Sequence, residues 1–309
     1  QPDQTIAHSN YTDKAGVTAL GLNARTAYLP YMGKNFEDAI VISRSMAKRL
    51  SSEHMYQHRL DKTNDHKLGR GAFLSLFPSK FVRRQIETID KNGIVLPGTE
   101  VREGDPLILG AVAKAPAKNK VHRQGGKSFG DASIVWEHAS PGIVTDVVNN
   151  DKGTTVLVKS VSEMQEGDKL SGRYGDKGVI ADIISDDQMP HDKEGRPFEV
   201  LLNPNGTISR TNPAQYVEAA LGKIAALTGK AYRVQDFGSI QNVVEFAQRE
   251  LEKYGLTDTE DVIDPTTGRK LKDDSGNMPM VGNRFFMKLH HTAEGKGAGG
   301  HVAPGQHQM

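Results

Sequence analysis

The sequence predicts a mixed α+β chain, rich in β-strands, with two or three domains. A length of 309 residues is enough for more than one hydrophobic core. Short runs of β-branched residues that end at Gly, Pro or Asp recur along the chain, which is typical of strands. Two later segments repeat apolar residues at helical spacing. With hydrophobic residues at 37%, the chain suits a protein with extensive polar surface or large interfaces.

The N-terminal segment predicts an extended arm followed by two strands and a helix. Residues 1–20 are polar and show little periodicity. Strands are expected at 26–31 and 39–43, where Ile40-Val41-Ile42 is strongly β-branched. A short helix follows, and Ser43 is its expected N-cap because serine oxygens accept hydrogen bonds from helix amides.

The middle of the chain predicts strands with few helical signals. Residues 54–92 indicate a mixture of strand and loop, and 93–160 indicate a small all-β module. A polar basic insert at 113–131 predicts a flexible loop within that module. The single tryptophan, Trp136, is expected in its core.

The C-terminal third predicts strands around two amphipathic helices. The helices begin near Pro213 and Gln241, and each presents one apolar face. Their expected ranges are 213–227 and 241–254, and strands are expected at 179–184, 200–202 and 281–289.

The amino-acid composition excludes several classes of protein and of binding site. The formal net charge is +1, so any basic patch is local. The absence of cysteine excludes disulfides and thiolate metal sites. No apolar run approaches the roughly 18 residues of a membrane span, and the first residues lack the pattern of a signal peptide. We therefore expect a soluble, cytoplasmic protein with no membrane partner.

A glycine-rich basic segment at 167–178 reads Gly-Asp-Lys-Leu-Ser-Gly-Arg-Tyr-Gly-Asp-Lys-Gly. Lys169, Arg173 and Lys177 recur at helical spacing, but each glycine costs about 1 kcal/mol in a helix. A tight turn or ribbon whose backbone approaches a ligand is therefore predicted. Lysines beside open N–H groups suit a phosphate. A glycine-rich surface hairpin with solvated charges is the alternative.

Two adjacent acids, Glu37 and Asp38, precede the apolar strand at 39–43. If both belong to the strand, their side chains face opposite sides. Carboxylates beside a phosphate site commonly hold Mg²⁺ together with substrate oxygens. A turn with two solvated acids is the alternative.

Two further segments carry polar side chains that bear on function. Residues 204–213 predict a loop into a helix N-terminus, where Arg210 either grips a phosphate or is solvated at an ordinary helix start. Lys288-Leu289-His290-His291 ends a strand, and no third ligand at suitable spacing supports a metal site. A basic contact to nucleic acid or a polar edge of the core is favoured for it.

Together these segments resemble one family, the β subunit of multisubunit DNA-dependent RNA polymerase, in its C-terminal catalytic part. The glycine-rich basic segment is similar to the active-site lysine segment of that subunit. Several motifs in one order are far more specific than any single motif. The similar segments are 22–41, 167–179, 187–191, 202–204, 209–212 and 287–291.

The resemblance implies a double-psi β-barrel with an inserted all-β flap module and peripheral helices. It divides the chain into an arm with the first part of the barrel (1–50), a connecting region (51–92), a flap-like insertion (93–160), the second part of the barrel with the following helix (161–230), and a helix, loop and strand leading toward the clamp (231–309).

The resemblance also implies roles for individual residues in nucleotidyl transfer. Lys169 and Lys177 would contact the growing RNA end and the incoming nucleotide phosphates, and Arg210 would hold the substrate triphosphate. Glu37 and Asp38 would sit by a second Mg²⁺, shared with the nucleotide and a partner subunit. Nucleic-acid contacts would come from Lys169, Arg173, Lys177 and His291. The principal Mg²⁺ belongs to a β′-type partner with an aspartate-rich motif, which is absent here, so the chain is not expected to be active alone.

The implied partners are the β′-type subunit, DNA template, RNA transcript, nucleoside triphosphates and a sigma-like factor at the flap. The short flap and truncated ends indicate either a naturally split subunit or a fragment cut from a longer one. A split, phage-type subunit with a separate N-terminal β-type chain, acting in the host cytoplasm, is favoured. A non-catalytic module for docking nucleic acid or a transcription factor is the alternative. A standalone nucleotidyltransferase is disfavoured because two metal ions usually need three or more carboxylates.

Overall fold

The computed structural model describes residues 12, 20–114, 122–124, 127–209, 213–234, 242–273 and 275–293. Within them the fold is mixed α+β and rich in strands, as the sequence predicts. The chain divides into two compact units, which we call the barrel unit (1–51 with 163–309) and the insert unit (52–162). Each unit contains hydrophobic clusters of its own.

The elements are numbered in chain order. The strands are β1 (Leu22–Tyr28), β2 (Ala39–Ser43), β3 (Ser52–Asp61), β4 (His66–Leu68), β5 (Glu100–Val101), β6 (Pro106–Ile108), β7 (Gly110–Lys114), β8 (His122–Gln124), β9 (Lys127–Asp131), β10 (Ile134–Val135), β11 (Gly142–Asn149), β12 (Gly153–Ser162), β13 (Lys169–Ser171), β14 (Lys177–Ile184), β15 (Val200–Leu202), β16 (Val262–Ile263), β17 (Lys270–Leu271) and β18 (Met280–Lys288). The α-helices are α1 (Arg44–Arg49), α2 (Arg70–Leu76), α3 (Arg83–Glu87), α4 (Pro204–Ser209), α5 (Pro213–Thr228) and α6 (Val243–Lys253), and Asp186–Gln188 forms a 3₁₀ turn.

A closed six-stranded barrel forms the centre of the barrel unit, in the order β1-β15-β2-β14-β13-β18. β1 pairs in parallel with β15 and antiparallel with β18, whereas β2 pairs in parallel with β14. β1 and β2 precede the insert unit in sequence, and each lies between strands that follow it. The barrel therefore closes only when both parts of the chain come together. Its buried apolar side chains include Ala24, Ile40, Ile42, Leu170, Ile180, Val200 and Phe286.

Several elements of the barrel unit confirm the sequence predictions. β2 and β15 begin and end at the predicted residues. The oxygen of Ser43 accepts a hydrogen bond from the Met46 amide at 3.1 Å and so caps α1. α5 and α6 lie within one or two residues of the predicted helices, and Asn242 caps α6.

The first strand lies earlier than predicted. β1 ends at Tyr28, whereas the sequence predicted a strand over 26–31. Pro30 has no N–H to donate to a neighbouring strand, so the ladder cannot continue through it. Asn35 closes a turn at this point, because its buried side chain accepts from the Tyr31 amide at 2.8 Å and donates to the Leu29 carbonyl at 2.7 Å.

The described residues of the insert unit form three sheets. One has the order β3-β12-β11-β5, a second has the order β4-β7-β9-β8, and β6 pairs with β10. Trp136 is fully buried in the main cluster, which confirms its predicted place in a core.

Two predictions for this unit are corrected. The segment predicted as strand and loop contains helices α2 and α3. α2 follows Gly69, whose φ is 110°, and has no side-chain N-cap, so the usual start signal is missing. The flexible loop predicted at 113–131 is wrong over 113–114, 122–124 and 127–131, because these residues lie in β7, β8 and β9, and β9 pairs with both of the other strands. The hydrogen bonds that pair these strands come from the backbone, so a polar sequence gives little indication of them.

An aromatic cluster surrounds Trp136. Tyr56 meets the indole edge-on with ring centroids 5.2 Å apart, and the rings of His138 and His58 lie 4.5 and 5.7 Å from it. Burial lowers the pKa of His58, and the neighbouring His138 lowers it further. Within the described part of the chain, Nε2 of His58 is buried without a hydrogen-bond partner. Protonating this ring therefore opposes folding.

We expect acid to destabilise the insert unit through His58. Its pKa in the folded chain lies below the ordinary value of 6.5. The unfolded chain therefore binds the proton first, and stability falls as the pH drops below that value. Tryptophan fluorescence during urea unfolding should show a steeper loss in the natural chain than in His58→Phe, by up to about 1.4 kcal/mol per pH unit. Equal pH dependence in the two proteins would contradict this.

Some predictions fall outside the described residues. They include the arm at 1–20, of which only Thr12 and Leu20 are described, and the segment after Ala293. Among the described helices, none has the length and apolar character needed to cross a membrane.

Candidate functional site

A cleft that is open to solvent lies in the barrel unit. It is lined by residues from the turn before β2, the β13–β14 hairpin, β18 and the segment around α4 and α5. Two acids and a lysine that the sequence singled out, Glu37, Asp38 and Lys177, therefore line one cleft although they are far apart in the chain. The other polar side chains in its lining are Asp176, Asn203, Gln215 and Arg284.

The glycine-rich basic segment forms a β-hairpin, a shape compatible with both predicted interpretations. β13 and β14 pair antiparallel, with Lys169 opposite Val179 and Ser171 opposite Lys177. Residues opposite each other share a face of the hairpin. Lys169 and Lys177 are therefore diagonal neighbours on one face, a position in which Cα atoms lie roughly 7–8 Å apart. Lys177 is exposed and lines the cleft, whereas Lys169 is half-buried and does not line it. Neither ammonium group forms an ion pair with the residues that the structure describes.

The glycines of this hairpin permit close contacts within the protein. A Cβ at Gly178 would overlap the carbonyl oxygen of Asp38 and lie 2.8 Å from the Ile40 side chain. The bare backbone allows the Val179 amide to donate to that same carbonyl at 3.1 Å. Gly175 has a φ of 80°, which L-residues rarely adopt. The ribbon was predicted to approach a ligand, but at Gly178 the group that it approaches is the turn that carries the two acids.

The two acids lie in a turn before β2. The strand geometry considered for them does not apply, because β2 begins only at Ala39, and the backbone has the turn of the alternative interpretation. Glu37 has a φ of 53°, an unusual left-handed conformation for a residue other than glycine. Both residues are exposed and line the cleft. The described residues contain no cluster of three or more metal-ligating side chains, so Glu37 and Asp38 offer at most part of a metal site within that part of the chain.

Arg173 is exposed at the hairpin tip but is already engaged. Its guanidinium lies 3.6 Å from a carboxylate oxygen of Glu218 and 4.2 Å from the ring centroid of Phe285. An exposed pair of this kind contributes little stability. The contacts nevertheless direct the side chain along the protein surface rather than into the cleft.

The segment after β18 runs beside the hairpin. The Lys169 amide donates to the carbonyl of His291 at 3.3 Å, and the imidazole of His291 is exposed. Lys288 is buried, with Nζ 3.3 Å from the Asp168 carboxylate. Lys288 therefore belongs to the polar edge of the core, which was one of the two predicted interpretations.

Arg210 lies outside the described residues, as do its neighbours 211 and 212. The loop predicted to lead into the following helix is corrected in part, because residues 204–209 form the short helix α4. Gly206 in α4 and Gln215 in α5 line the cleft on either side of this segment.

Sequence reasoning missed a buried charged cluster at the cleft. Arg284 is fully buried on β18, and its Nη2 lies 2.6 Å from Oδ2 of Asp176. Its Nε lies 3.7 Å from Oε2 of Glu218. Burial raises the pKa of Glu218, although Arg284 and Arg173 oppose that shift, and burial raises the pKa of Tyr28 to about 12.

A signal for Arg284 was present in the sequence. Alternate residues of a strand share a face. Arg284 stands two positions from both Gly282 and Phe286, and all three are buried. The alternation of side chains along the strand is enough to place the Arg284 guanidinium on the apolar face of β18. A charge buried there needs an oppositely charged partner.

The comparisons with known proteins place this barrel in a family. The family described as RNA polymerase Rpb2, domain 6, matches residues 4–301. The chain belongs to that family, and the resemblance to the polymerase β subunit is confirmed.

Several curated relatives carry the name DNA-directed RNA polymerase subunit beta. One, from Borrelia duttonii (strain Ly), is 31% identical over 318 residues, covering 95% of this chain and 27% of the relative. Those from Borrelia hermsii (strain HS1 / DAH) and Treponema denticola are 32% and 30% identical over 305 residues, covering 91% of this chain. The chain thus spans about a quarter of the length of these relatives. They are bacterial, and nothing in the comparisons supports the expected split or phage-type origin.

Proposed function

We propose that this chain is the part of a DNA-directed RNA polymerase that contributes nucleotide-phosphate and RNA contacts to template-directed nucleotidyl transfer. The observation that carries the proposal is the cleft shared by Glu37, Asp38 and Lys177. Folding brings a lysine without an ion pair among the described residues into the same cleft as two exposed carboxylates. In the same proposal the closed barrel is a double-psi β-barrel, and residues 93–160 of the insert unit are the flap.

Lys177 is proposed to neutralise the phosphates of the incoming nucleotide. In nucleotidyl transfer the 3′ oxygen of the RNA attacks the α-phosphorus, the bond to the bridging oxygen breaks, and pyrophosphate leaves. Negative charge builds on the phosphate oxygens during this step, and a fixed cation lowers its energy. An exposed ammonium at the cleft rim suits this task because no carboxylate of the described chain already holds it.

The neighbouring residues take supporting roles in the proposal. Lys169, beside Lys177 on the same face of the hairpin, contacts the growing RNA end. His291 is exposed next to Lys169 and lies along the transcript path, and Arg173 adds positive charge at the hairpin tip. Arg210, which lies outside the described residues, is proposed to hold the triphosphate because a guanidinium binds phosphate oxygens in a bidentate manner.

Glu37 and Asp38 are proposed to hold a Mg²⁺ ion together with the nucleotide and a partner subunit. Carboxylate oxygens are ligands that Mg²⁺ prefers, and the ion typically takes its remaining ligands from substrate phosphates and water. Two exposed carboxylates fit such a shared site but not a complete one. When bound, the ion would polarise phosphate oxygens, and this chain's own contribution is to place two oxygen ligands beside Lys177.

The partners follow from the same proposal. A β′-type subunit would supply the aspartate-rich site for the principal Mg²⁺, and the remainder of a β subunit would complete the assembly. DNA template, RNA transcript and nucleoside triphosphates are the proposed ligands, and a sigma-like factor would dock at the flap. The proposed compartment is the cytoplasm.

A magnesium titration tests the proposed role of the acids. The assembly that contains this chain would be purified with Glu37→Gln and Asp38→Asn together, and primed RNA synthesis would be measured. We expect the Mg²⁺ concentration for half-maximal synthesis to rise about tenfold or more, as is typical when groups that support a metal are removed.

The matched control is Glu166→Gln with Asp146→Asn, two exposed acids that do not line the cleft. It removes the same charge and should leave the magnesium requirement unchanged. A similar rise in both doubly substituted proteins, or in neither, would contradict the proposed role and favour a docking module.

A further inference from the structure

The tip of the β13–β14 hairpin must be held in place by a contact from outside the hairpin. Residues 172–176 connect β13 to β14 without regular structure, and two of the five are glycines. Glycine gains more conformational freedom than other residues when it is not held. Lys177 follows this tip directly in the sequence. Conformational freedom in the tip would therefore also make the position of Lys177 less fixed.

Asp176 accepts hydrogen bonds from several other residues of the hairpin and so holds the tip in one conformation. Its backbone oxygen accepts from the Gly172 amide at 2.9 Å and from the Ser171 hydroxyl at 3.1 Å. Its side-chain oxygen Oδ1 accepts from the Tyr174 amide at 3.3 Å. The orientation of Asp176 therefore fixes both the tip and the starting point of β14, where Lys177 stands.

Arg284 holds Asp176 from the barrel wall. The guanidinium is 0% exposed and lies 2.6 Å from Oδ2 of Asp176. It also lies 5.0 Å from the ring centroid of Phe286, on the strand that closes the barrel. A buried charge is strongly unfavourable unless it is paired, so moving Asp176 away would leave Arg284 uncompensated.

The packing at Gly172 shows how closely the tip rests on this pair. A Cβ at Gly172 would overlap the Asp176 carboxylate and lie 2.6 Å from Nη2 of Arg284. No side chain separates the tip backbone from the ion pair. Both Asp176 and Arg284 line the same cleft as Lys177.

We propose that Arg284 is a positioning residue that fixes Lys177 in the cleft through Asp176. The inference rests on the proposed function of Lys177 and adds a residue that does not itself touch the nucleotide. Nε and Nη1 of Arg284 have no hydrogen-bond partner among the described residues. The nearby carboxylates of Asp176 and Glu218 offset its charge, which argues against Arg284 as an anion site of its own.

A double-mutant cycle tests the proposal in the intact polymerase assembly. Arg284→Met removes the charge at similar volume, and Lys177→Ala removes the group that it positions. We expect Arg284→Met to lower kcat/KM for nucleotide by about tenfold or more, since misplacing a group by about 1 Å is that costly. In the Lys177→Ala background it should change kcat/KM by less than about twofold, because coupled residues are non-additive.

A structural role alone gives a different pattern. If Arg284 only stabilises the fold, its substitution lowers kcat/KM by the same factor in both backgrounds, and that result would overturn the inference. Arg25→Met is the matched control, because Arg25 pairs with Asp192 at 2.8 Å in the same unit and does not line the cleft. Its effect should be equal in the two backgrounds.

Two further variants keep the test decisive if Arg284→Met fails to assemble. Asp176→Asn leaves Arg284 beside Glu218 and should show the same coupling to Lys177. Arg284→Lys retains the charge without the planar guanidinium and should recover part of the lost kcat/KM. Independent effects of Asp176→Asn and Lys177→Ala would overturn the inference. A Lys177→Ala assembly with full activity would instead overturn the proposed function.

Discussion

Replacing Lys177 by alanine should reduce RNA synthesis by the assembly about 100-fold or more, the range seen when one group that stabilises a transition-state charge is removed. The loss should appear mainly in kcat, because the charge on the phosphate oxygens grows as the bond to pyrophosphate breaks. Lys177 is suited to this role by its exposure at the cleft and by the absence of an ion pair within the described chain.

Two comparisons make this result specific. Lys177→Arg keeps the positive charge and should retain more activity than alanine, although the larger planar group will not restore it fully. Lys48→Ala removes an exposed lysine of α1 that does not line the cleft, and it should leave kcat unchanged. Undiminished synthesis by the Lys177→Ala assembly would show that Lys177 does not act in the chemistry.

Replacing Gly178 by alanine should damage both the fold and the site. A Cβ there would overlap the backbone oxygen of Asp38, which cannot move as a flexible side chain can. Overpacking of this kind costs about 1–3 kcal/mol, and a backbone collision belongs at the upper end. The β2–β14 pairing should therefore open, and the turn with the acids should separate from Lys177.

Amide hydrogen exchange measures this directly. The Val179 amide donates to the Asp38 carbonyl in the native chain and should lose much of its protection in Gly178→Ala. Gly71→Ala is the control, since a Cβ there meets no atom within 4 Å and alanine is favoured in a helix. Full protection of Val179 in Gly178→Ala would contradict the close contact between hairpin and turn.

The individual strands of the barrel were predictable, but its closure was not. β2 and β15 are runs of apolar residues between turn signals, and local pattern was enough to place them. The pairing of β1 with β18 joins segments separated by most of the chain, and no local pattern encodes such a partner. The β1 boundary was displaced because Asn35 closes its turn through side-chain hydrogen bonds.

In the candidate site, too, features set by neighbouring residues could be predicted, whereas contacts between residues far apart in the sequence could not. Glycine content predicted a turn or ribbon over 167–178 rather than a helix, and the structure contains a β-hairpin there. The ion pair between Asp176 and Arg284 spans 108 residues and depends on barrel closure. The family resemblance implied that Glu37 and Asp38 belong with the lysines, but the turn that places them in the cleft was visible only in the structure.

The most direct test of the account is to ask which residue the nucleotide phosphates touch. A nucleoside triphosphate with an amine-reactive group on its terminal phosphate would be bound to the primed assembly, and the attached peptides would be identified by mass spectrometry. We expect attachment at Lys177, suppressed by excess unmodified nucleotide. Suppressible attachment only at lysines outside the cleft, with synthesis intact, would contradict the claim that this cleft binds nucleotide phosphates.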